Sequence, residues 1–145
     1  MKSLARQRQR GAAAVEFAVV AGVLFVLLLG IMEIGRLMWT WNAAAEATRL
    51  GARLAVVCDV GEATVLARMS EVLPALEGHV TVNYLPGGCT DATCQSVSVT
   101  LAGYTHQPII PLGLLGGEPL SIPIPPFQTT LPREFMKSDG NPLCN

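Results

Sequence analysis

The sequence predicts an α+β protein in which a long N-terminal helix precedes a small head. An apolar stretch runs over residues 12–32, and a helical pattern continues from it without proline to about residue 57. Beyond it, two segments alternate apolar and polar residues on either side of a Pro-Gly-Gly turn, as an antiparallel hairpin does. We therefore expect a helix over 12–57 and an extracytoplasmic α+β head over 58–145. The head should hold a short helix and an antiparallel sheet of three or four strands.

Composition and charge indicate a membrane protein. Hydrophobic residues make up 50% of the 145 residues and charged residues 14%, which is too apolar for an ordinary soluble domain. The net charge of −1 argues against nucleic acid as a partner. Residues 1–11 nevertheless hold four basic residues and no acid, whereas the rest of the chain has six basic and eleven acidic residues. This asymmetry predicts a cytoplasmic N-terminus and a head on the outer side.

The apolar segment is long enough to cross a bilayer. Residues 12–32 would span about 30 Å at the rise of an α-helix. Trp39 and Trp41 follow it, where an aromatic belt is expected. Apolar and small residues then recur at three- and four-residue steps, which predicts one packed stripe. The stripe comprises Leu37, Met38, Trp41, Ala44, Ala45, Thr48, Ala52 and Ala55.

Local patterns predict the elements of the head in turn. Residues 58–61 should end the long helix, and 62–73 should form a short second helix. The alternating segments 79–84 and 95–104 predict the hairpin. A further strand is expected within 119–134, where prolines either restrict it to a sheet edge or break it. The polar tail that follows should be loosely held unless its cysteine anchors it.

All four cysteines lie on the predicted outer side, where disulfides are stable. Cys89 and Cys94 are close together in a Gly-rich turn and are expected to pair, which leaves Cys58 for Cys144. Free thiols or a zinc site are the alternatives. The C-x4-C spacing lacks a second close pair or histidines at ligand spacing, so we expect no bound metal.

A single acid, Glu16, stands near the start of the apolar segment, where a lone carboxylate is costly. A signal-peptidase site at residues 43–45 falls too far beyond the apolar run, and an uncleaved anchor leaves the acid unexplained. Cleavage between Gly11 and Ala12 explains it. The new α-amine is cationic near neutral pH and can meet Glu16 of a neighbouring subunit in a helical stack. The helix dipole also favours a carboxylate there.

These residues carry a resemblance to a known family. Gly11, four small apolar residues and then Glu16-Phe17 resemble the processing site of type IV prepilin-like proteins. Together with the segment at 31–36, the stretch is similar to the TadE-like family, the minor pilins (pseudopilins) of the tight-adherence, or Flp, pilus system. Gly22 stands where that family often has proline, eleven residues after the cleavage point.

The resemblance implies a part in priming, capping or decorating a pilus, with adhesion or related secretion as the outcome. It implies a leader over residues 1–11 that a prepilin peptidase removes. The other implied partners are the major pilin, a second minor pilin, an inner-membrane assembly platform with its ATPase, and membrane lipid. The implied location is the bacterial inner membrane, crossed once, and then the pilus. The size of the head favours a minor subunit, because major pilins are little more than the helix.

Other positions on the helix suit contacts rather than chemistry. Glu33 and Arg36 lie three residues apart, as an exposed ion pair or as a contact with a partner's helix. Gly22 and Gly30 would allow close helix approach. The sequence contains no nucleophile motif, phosphate loop or histidine-acid cluster, so we predict neither catalysis nor a cofactor.

Two further questions stay open at this level. The chain could instead be an uncleaved, membrane-anchored envelope binding module or adhesin that has a similar anchor. The apolar, proline-rich segment 108–126 would suit a subunit contact, or it folds over the sheet of its own head.

Overall fold

The computed structural model describes residues 2–61, 63–74, 76–109, 120–134 and 136–144, with the backbone alone over 2–10. It divides into two compact units, Met1–Arg36 and Leu37–Asn145. The predicted α+β class is confirmed. The elements are α1 (Lys2–Ala55), α2 (Ala63–Val72), β1 (Val80–Leu85), β2 (Ser96–Leu101), β3 (Thr105–His106), β4 (Ile122–Pro123) and β5 (Phe127–Pro132).

Helix α1 begins earlier than the apolar pattern indicates. It starts at Lys2 rather than near residue 12, because all but one of residues 2–10 are lysine, leucine, alanine, arginine or glutamine, which are good helix formers. Gly11 does not interrupt it, since a lone glycine costs a helix only about 1 kcal/mol. The helix ends at Ala55, two residues before the expected end.

The C-terminal tail closes the end of α1. The amide of Glu134 donates to the carbonyl of Val56 at 3.4 Å, and the amide of Lys137 donates to the carbonyl of Val57 at 3.0 Å. These two carbonyls directly follow the helix, where intrahelical donors run out. The tail therefore satisfies backbone acceptors that would otherwise need water.

Side chains and a disulfide hold the same tail in place. The Asp59 amide donates to Ser138 Oγ at 2.9 Å, and the Ser138 amide donates to Asp59 Oδ1 at 3.2 Å. The disulfide Cys58–Cys144 lies between the same two segments, and Cys89–Cys94 closes the loop after β1. Both pairings are those expected from the sequence. The zinc alternative is therefore wrong, since all four thiols are oxidised.

Strand β2 is the centre of a three-stranded antiparallel sheet in the order β1-β2-β5. Its inward side chains, Val97, Val99 and Leu101, are fully buried. The expected hairpin is β1 and β2. The proline-rich 119–134 segment forms two strands rather than one: β4 pairs with β3, and β5 takes a sheet edge, where missing amide donors cost least. Residues 110–119, which include most of the predicted contact segment, lie outside the described residues.

The face that α1 buries in the second unit is built of small residues. They are Thr40, Ala43, Ala44, Ala47, Thr48, Ala52, Leu54 and Ala55. The expected stripe was wrong at its first turn, because Met38 and Trp41 are exposed. Trp41 meets Phe127, the first residue of β5, edge-on with ring centroids 6.1 Å apart. The core thus begins at this level of the helix.

Helix α2 packs on α1 at a glycine. A Cβ built on Gly51 would overlap the Sδ atom of Met69 and lie 3.0 Å from its Cγ atom. Met69 is fully buried, so its side chain cannot swing into solvent to make room. The absence of a side chain at Gly51 therefore sets how closely the two helices approach.

Substitution of Gly51 by alanine should destabilise the head by about 1–3 kcal/mol, because the added methyl group overpacks the core at Met69. Urea unfolding of the full chain in detergent, followed by tryptophan fluorescence, measures this loss. Gly87→Ala is the matched control, since a Cβ there meets nothing within 4 Å of the described chain. Met69→Val should restore part of the loss in Gly51→Ala, and equal midpoints for Gly51→Ala and the native chain would contradict the packing.

The two disulfides should differ in their effect on stability. Cys58–Cys144 spans 86 residues and Cys89–Cys94 spans five. The chain-entropy relation gives about 4.5 kcal/mol for the long loop and about 2 kcal/mol for the short one. The double variant Cys58→Ser/Cys144→Ser should therefore lose more stability than Cys89→Ser/Cys94→Ser in the same urea unfolding. A larger loss from the second double variant would show that the disulfide to the tail contributes little.

Candidate assembly site

The residues predicted for processing and assembly lie on an exposed helix in the first unit. Gly11, Ala12, Glu16 and Phe17 are all exposed. A Cβ added at Gly22 would meet no other atom of the described chain within 4 Å, and the same holds for Gly30. The surface of this helix is therefore open to lipid or to another helix along the whole segment.

Among the side chains that the structure describes in this unit, fourteen large apolar ones are exposed. They are Val15, Phe17, Val19, Val20, Val23, Leu24, Phe25, Val26, Leu27, Leu28, Leu29, Ile31, Met32 and Ile34. Burial of such side chains is worth about 1.5–3 kcal/mol each. Leaving them in water would cost on the order of 20–40 kcal/mol, whereas a whole domain is stable by about 5–15 kcal/mol. The helix therefore requires an apolar environment.

This helix is also long enough to cross a membrane. Within the described residues, Gly11–Ala55 is the one helix whose length and composition meet that requirement, and its most apolar stretch is entirely exposed. Exposure separates it from the central helix of a soluble protein, which has similar composition but is covered by its own chain.

Glu16 is the fifteenth residue of α1, far from either end of the helix. The peptide bond between Gly11 and Ala12 is itself helical. In an α-helix the amides of residues 12–15 donate to the carbonyls of residues 8–11. In the uncut chain these amides are therefore occupied, and the positive end of the helix dipole lies a full 14 residues before Glu16.

Glu33 and Arg36 form an ion pair at the end of the apolar segment. Arg36 Nη1 donates to Glu33 Oε1 at 3.0 Å, and Glu33 is the less exposed partner. Pairs at this spacing contribute a few tenths of a kcal/mol on an exposed helix. A contact with a partner's helix stays a prediction for these two residues.

The two histidines, His79 and His106, each lie next to a different polar group. His106 is buried, and its Nδ1 atom lies 3.2 Å from the Oγ1 atom of Thr40. His79 Nδ1 lies 3.3 Å from the carbonyl oxygen of Ala102. In the ranges that the structure describes, no cluster of three histidine, cysteine or acidic residues is placed to hold a metal ion.

The sequence of this exposed helix is similar to that of a known protein family. Residues 11–53 match the family model of the TadE-like proteins. Over these residues, the chain is similar to the TadE-like proteins. No curated protein and no solved structure matches the chain.

The TadE-like match begins at Gly11 and ends at Arg53, within α1. It therefore takes in the exposed apolar segment, Glu16, the Glu33–Arg36 pair and most of the small-residue face that packs in the head. The head beyond α1 is not part of the match. This similarity indicates association with a Tad pilus system, and together with a helix able to span a membrane it indicates an envelope protein.

Proposed function

We propose that the chain is a minor pilin, or pseudopilin, that takes part in assembling, priming or capping a pilus of the tight-adherence type. The observation that carries the proposal is an exposed apolar helix in which Glu16 is the fifth residue after Gly11, inside the TadE-like segment. The precursor would cross the bacterial inner membrane once, with residues 1–11 in the cytoplasm and the head outside.

A prepilin peptidase would cut the precursor between Gly11 and Ala12. Both residues are small and exposed, so an enzyme can reach the bond. Hydrolysis requires local unwinding of α1, and glycine lowers that cost because it is the weakest helix former after proline. The cut would also remove Lys2, Arg6 and the other basic residues of the leader. These charges hold the N-terminus in the cytoplasm, so their loss would free the helix to leave the bilayer.

The same cut would give Glu16 its partner. It would free the first-turn amides and place a new α-amine at Ala12, so the positive end of the helix dipole would move to within five residues of Glu16. In a helical stack, the carboxylate of Glu16 in one subunit would accept a hydrogen bond from the α-ammonium group of the next. Each charge would then be compensated in the apolar interior.

The apolar side chains of the first unit would be covered by lipid before cleavage and by neighbouring helices afterwards. Those helices would come from the major pilin and a second minor pilin, delivered by the inner-membrane platform. Gly22 and Gly30 offer open surface where a neighbour can approach closely.

N-terminal sequencing of the protein, purified from cells that contain a prepilin peptidase, should begin at Ala12. Gly11→Val should leave the leader attached. A branched side chain hinders access of the peptidase to the bond, and valine does not ease local unwinding of the helix as glycine does. A native chain that begins at Met1 would favour the uncleaved envelope binding module. One that begins at Glu46 would instead indicate a secretory signal peptidase.

Glu16→Ala should leave processing and the stability of the head unchanged but reduce assembly. Removing one member of a buried charge pair costs about 3–5 kcal/mol, which is more than a hundredfold in association. Co-purification of pilin subunits and counts of pili per cell measure the loss. Glu46→Ala is the matched control, since Glu46 is an exposed acid of the same helix, 3.8 Å from Arg49. Normal assembly with Glu16→Ala would contradict the pairing.

A further inference from the structure

The second unit has two distinct ends along α1. Phe127, at the start of β5, meets Trp41. Seven residues later the chain has reached the other end of the helix, where the amide of Glu134 donates to the carbonyl of Val56. Strand β5 thus runs beside α1 from residue 41 towards residue 56. We call the end at residues 37–41 the proximal end, because the second unit begins there.

The β3–β4 sheet also lies at the proximal end. His106 in β3 is within 3.2 Å of Thr40, and it pairs in register with Ile122 in β4. The chain leaves this pair of strands through Ile109 and returns through Leu120, and both side chains are exposed. Residues 110–119, between them, are outside the described residues.

Of the nine large apolar side chains exposed on the described part of the second unit, five belong to the segments that build its proximal end. We define the proximal surface by the helix residues Met38, Trp39 and Trp41 together with Ile109 and Leu120. Trp39 is 59% exposed and Leu120 is 49% exposed. Large exposed apolar side chains that cluster in this way mark an interaction site rather than ordinary surface.

The segments that build this end carry almost no charge. Residues 96–109 and 120–132 contain no aspartate, glutamate, lysine or arginine. The acidic and basic side chains of the tail lie at the other end, where the backbone amide of Lys137 donates to the carbonyl of Val57. The charged neighbours of this end in the described chain are Glu77, which is exposed and precedes β1, and the Glu33–Arg36 pair, which precedes Leu37 in α1. The sheet segments at the proximal end are thus uncharged, whereas the charged side chains of the tail lie at the other end.

We propose that the proximal surface of the precursor lies in the headgroup region of the bilayer, so that the β3–β4 sheet rests on the membrane. The inference rests on the proposed membrane span of the first unit. Met38 and Trp39 follow the apolar segment 12–32 in the chain, after the turn that holds the Glu33–Arg36 pair, which brings a lipid surface close to this end of the head. Tryptophan prefers that boundary, and a surface without charge can enter it without desolvating ions. The head is covalently joined to the membrane-spanning helix, so its docking on the bilayer is intramolecular and weak contacts suffice.

Depth-dependent fluorescence quenching tests this placement in the full chain. Trp39→Phe and Trp41→Phe provide a background, into which one tryptophan is introduced as Leu120→Trp, Leu143→Trp or Phe25→Trp. Leu143 is the matched control, because it is 56% exposed and lies in the tail, at the charged end. Each variant is placed in phosphatidylcholine nanodiscs, one copy per disc, in which the lipid is brominated near the top of its acyl chains.

Leu120→Trp should be quenched at least twofold more strongly than Leu143→Trp, and Phe25→Trp should be quenched as a residue within the span. Ser121→Trp, at a neighbouring exposed position, repeats the measurement if Leu120→Trp does not fold. Quenching of Phe25→Trp without quenching at 120 or 121 would overturn the docking and leave the proposed span standing. The same result is expected if the proximal surface binds a second copy of the chain instead of lipid, because each disc holds a single copy. No quenching at any position would overturn both proposals.

Discussion

The apolar surface of α1 must be covered, and this requirement governs the rest of the structure. One helix serves two environments. Its second half lies in the head, where small residues such as Ala44, Ala47 and Gly51 let the sheet and α2 approach closely. Its first half exposes large apolar side chains, whose exposure to water would cost more than the stability of a typical domain. Lipid, and then other helices, are the covers that the proposed function supplies.

Local patterns in the sequence predicted the parts of the fold that depend on neighbours in the chain. The β1–β2 hairpin, the edge position of β5 and the Cys89–Cys94 disulfide follow from alternation, proline chemistry and cysteine spacing, and Cys58–Cys144 was expected only as the remaining pair. Two features did not follow. The start of α1 at Lys2 reflects helix propensity in a polar stretch, where an apolar pattern gives no signal. The contact of Gly51 with Met69 joins two helices across a turn, and a glycine inside a helical pattern was its only trace.

The candidate site could be predicted because its logic is local to one helix. A lone acid in an apolar run, five residues after a glycine and a basic leader, suggests cleavage after that glycine and pairing of the acid with the new α-amine. The proximal end of the head could not be predicted in this way. Thr40 and His106 are 66 residues apart, and nothing in either segment indicates that they meet. Since the head lies outside the TadE-like match, its particular surfaces are where this chain differs from the shared helix and where its specific role should be sought.

Photo-cross-linking from position 17 tests most directly what covers α1. Phe17 is 75% exposed, so benzoylphenylalanine can replace it without disturbing a packed neighbour. In cells that lack the prepilin peptidase, the probe should yield lipid adducts. In cells that have the peptidase and the other pilus components, adducts should shift to proteins the size of pilin subunits. Lipid adducts alone in both strains would show that the helix never leaves the membrane, and would contradict an assembly role.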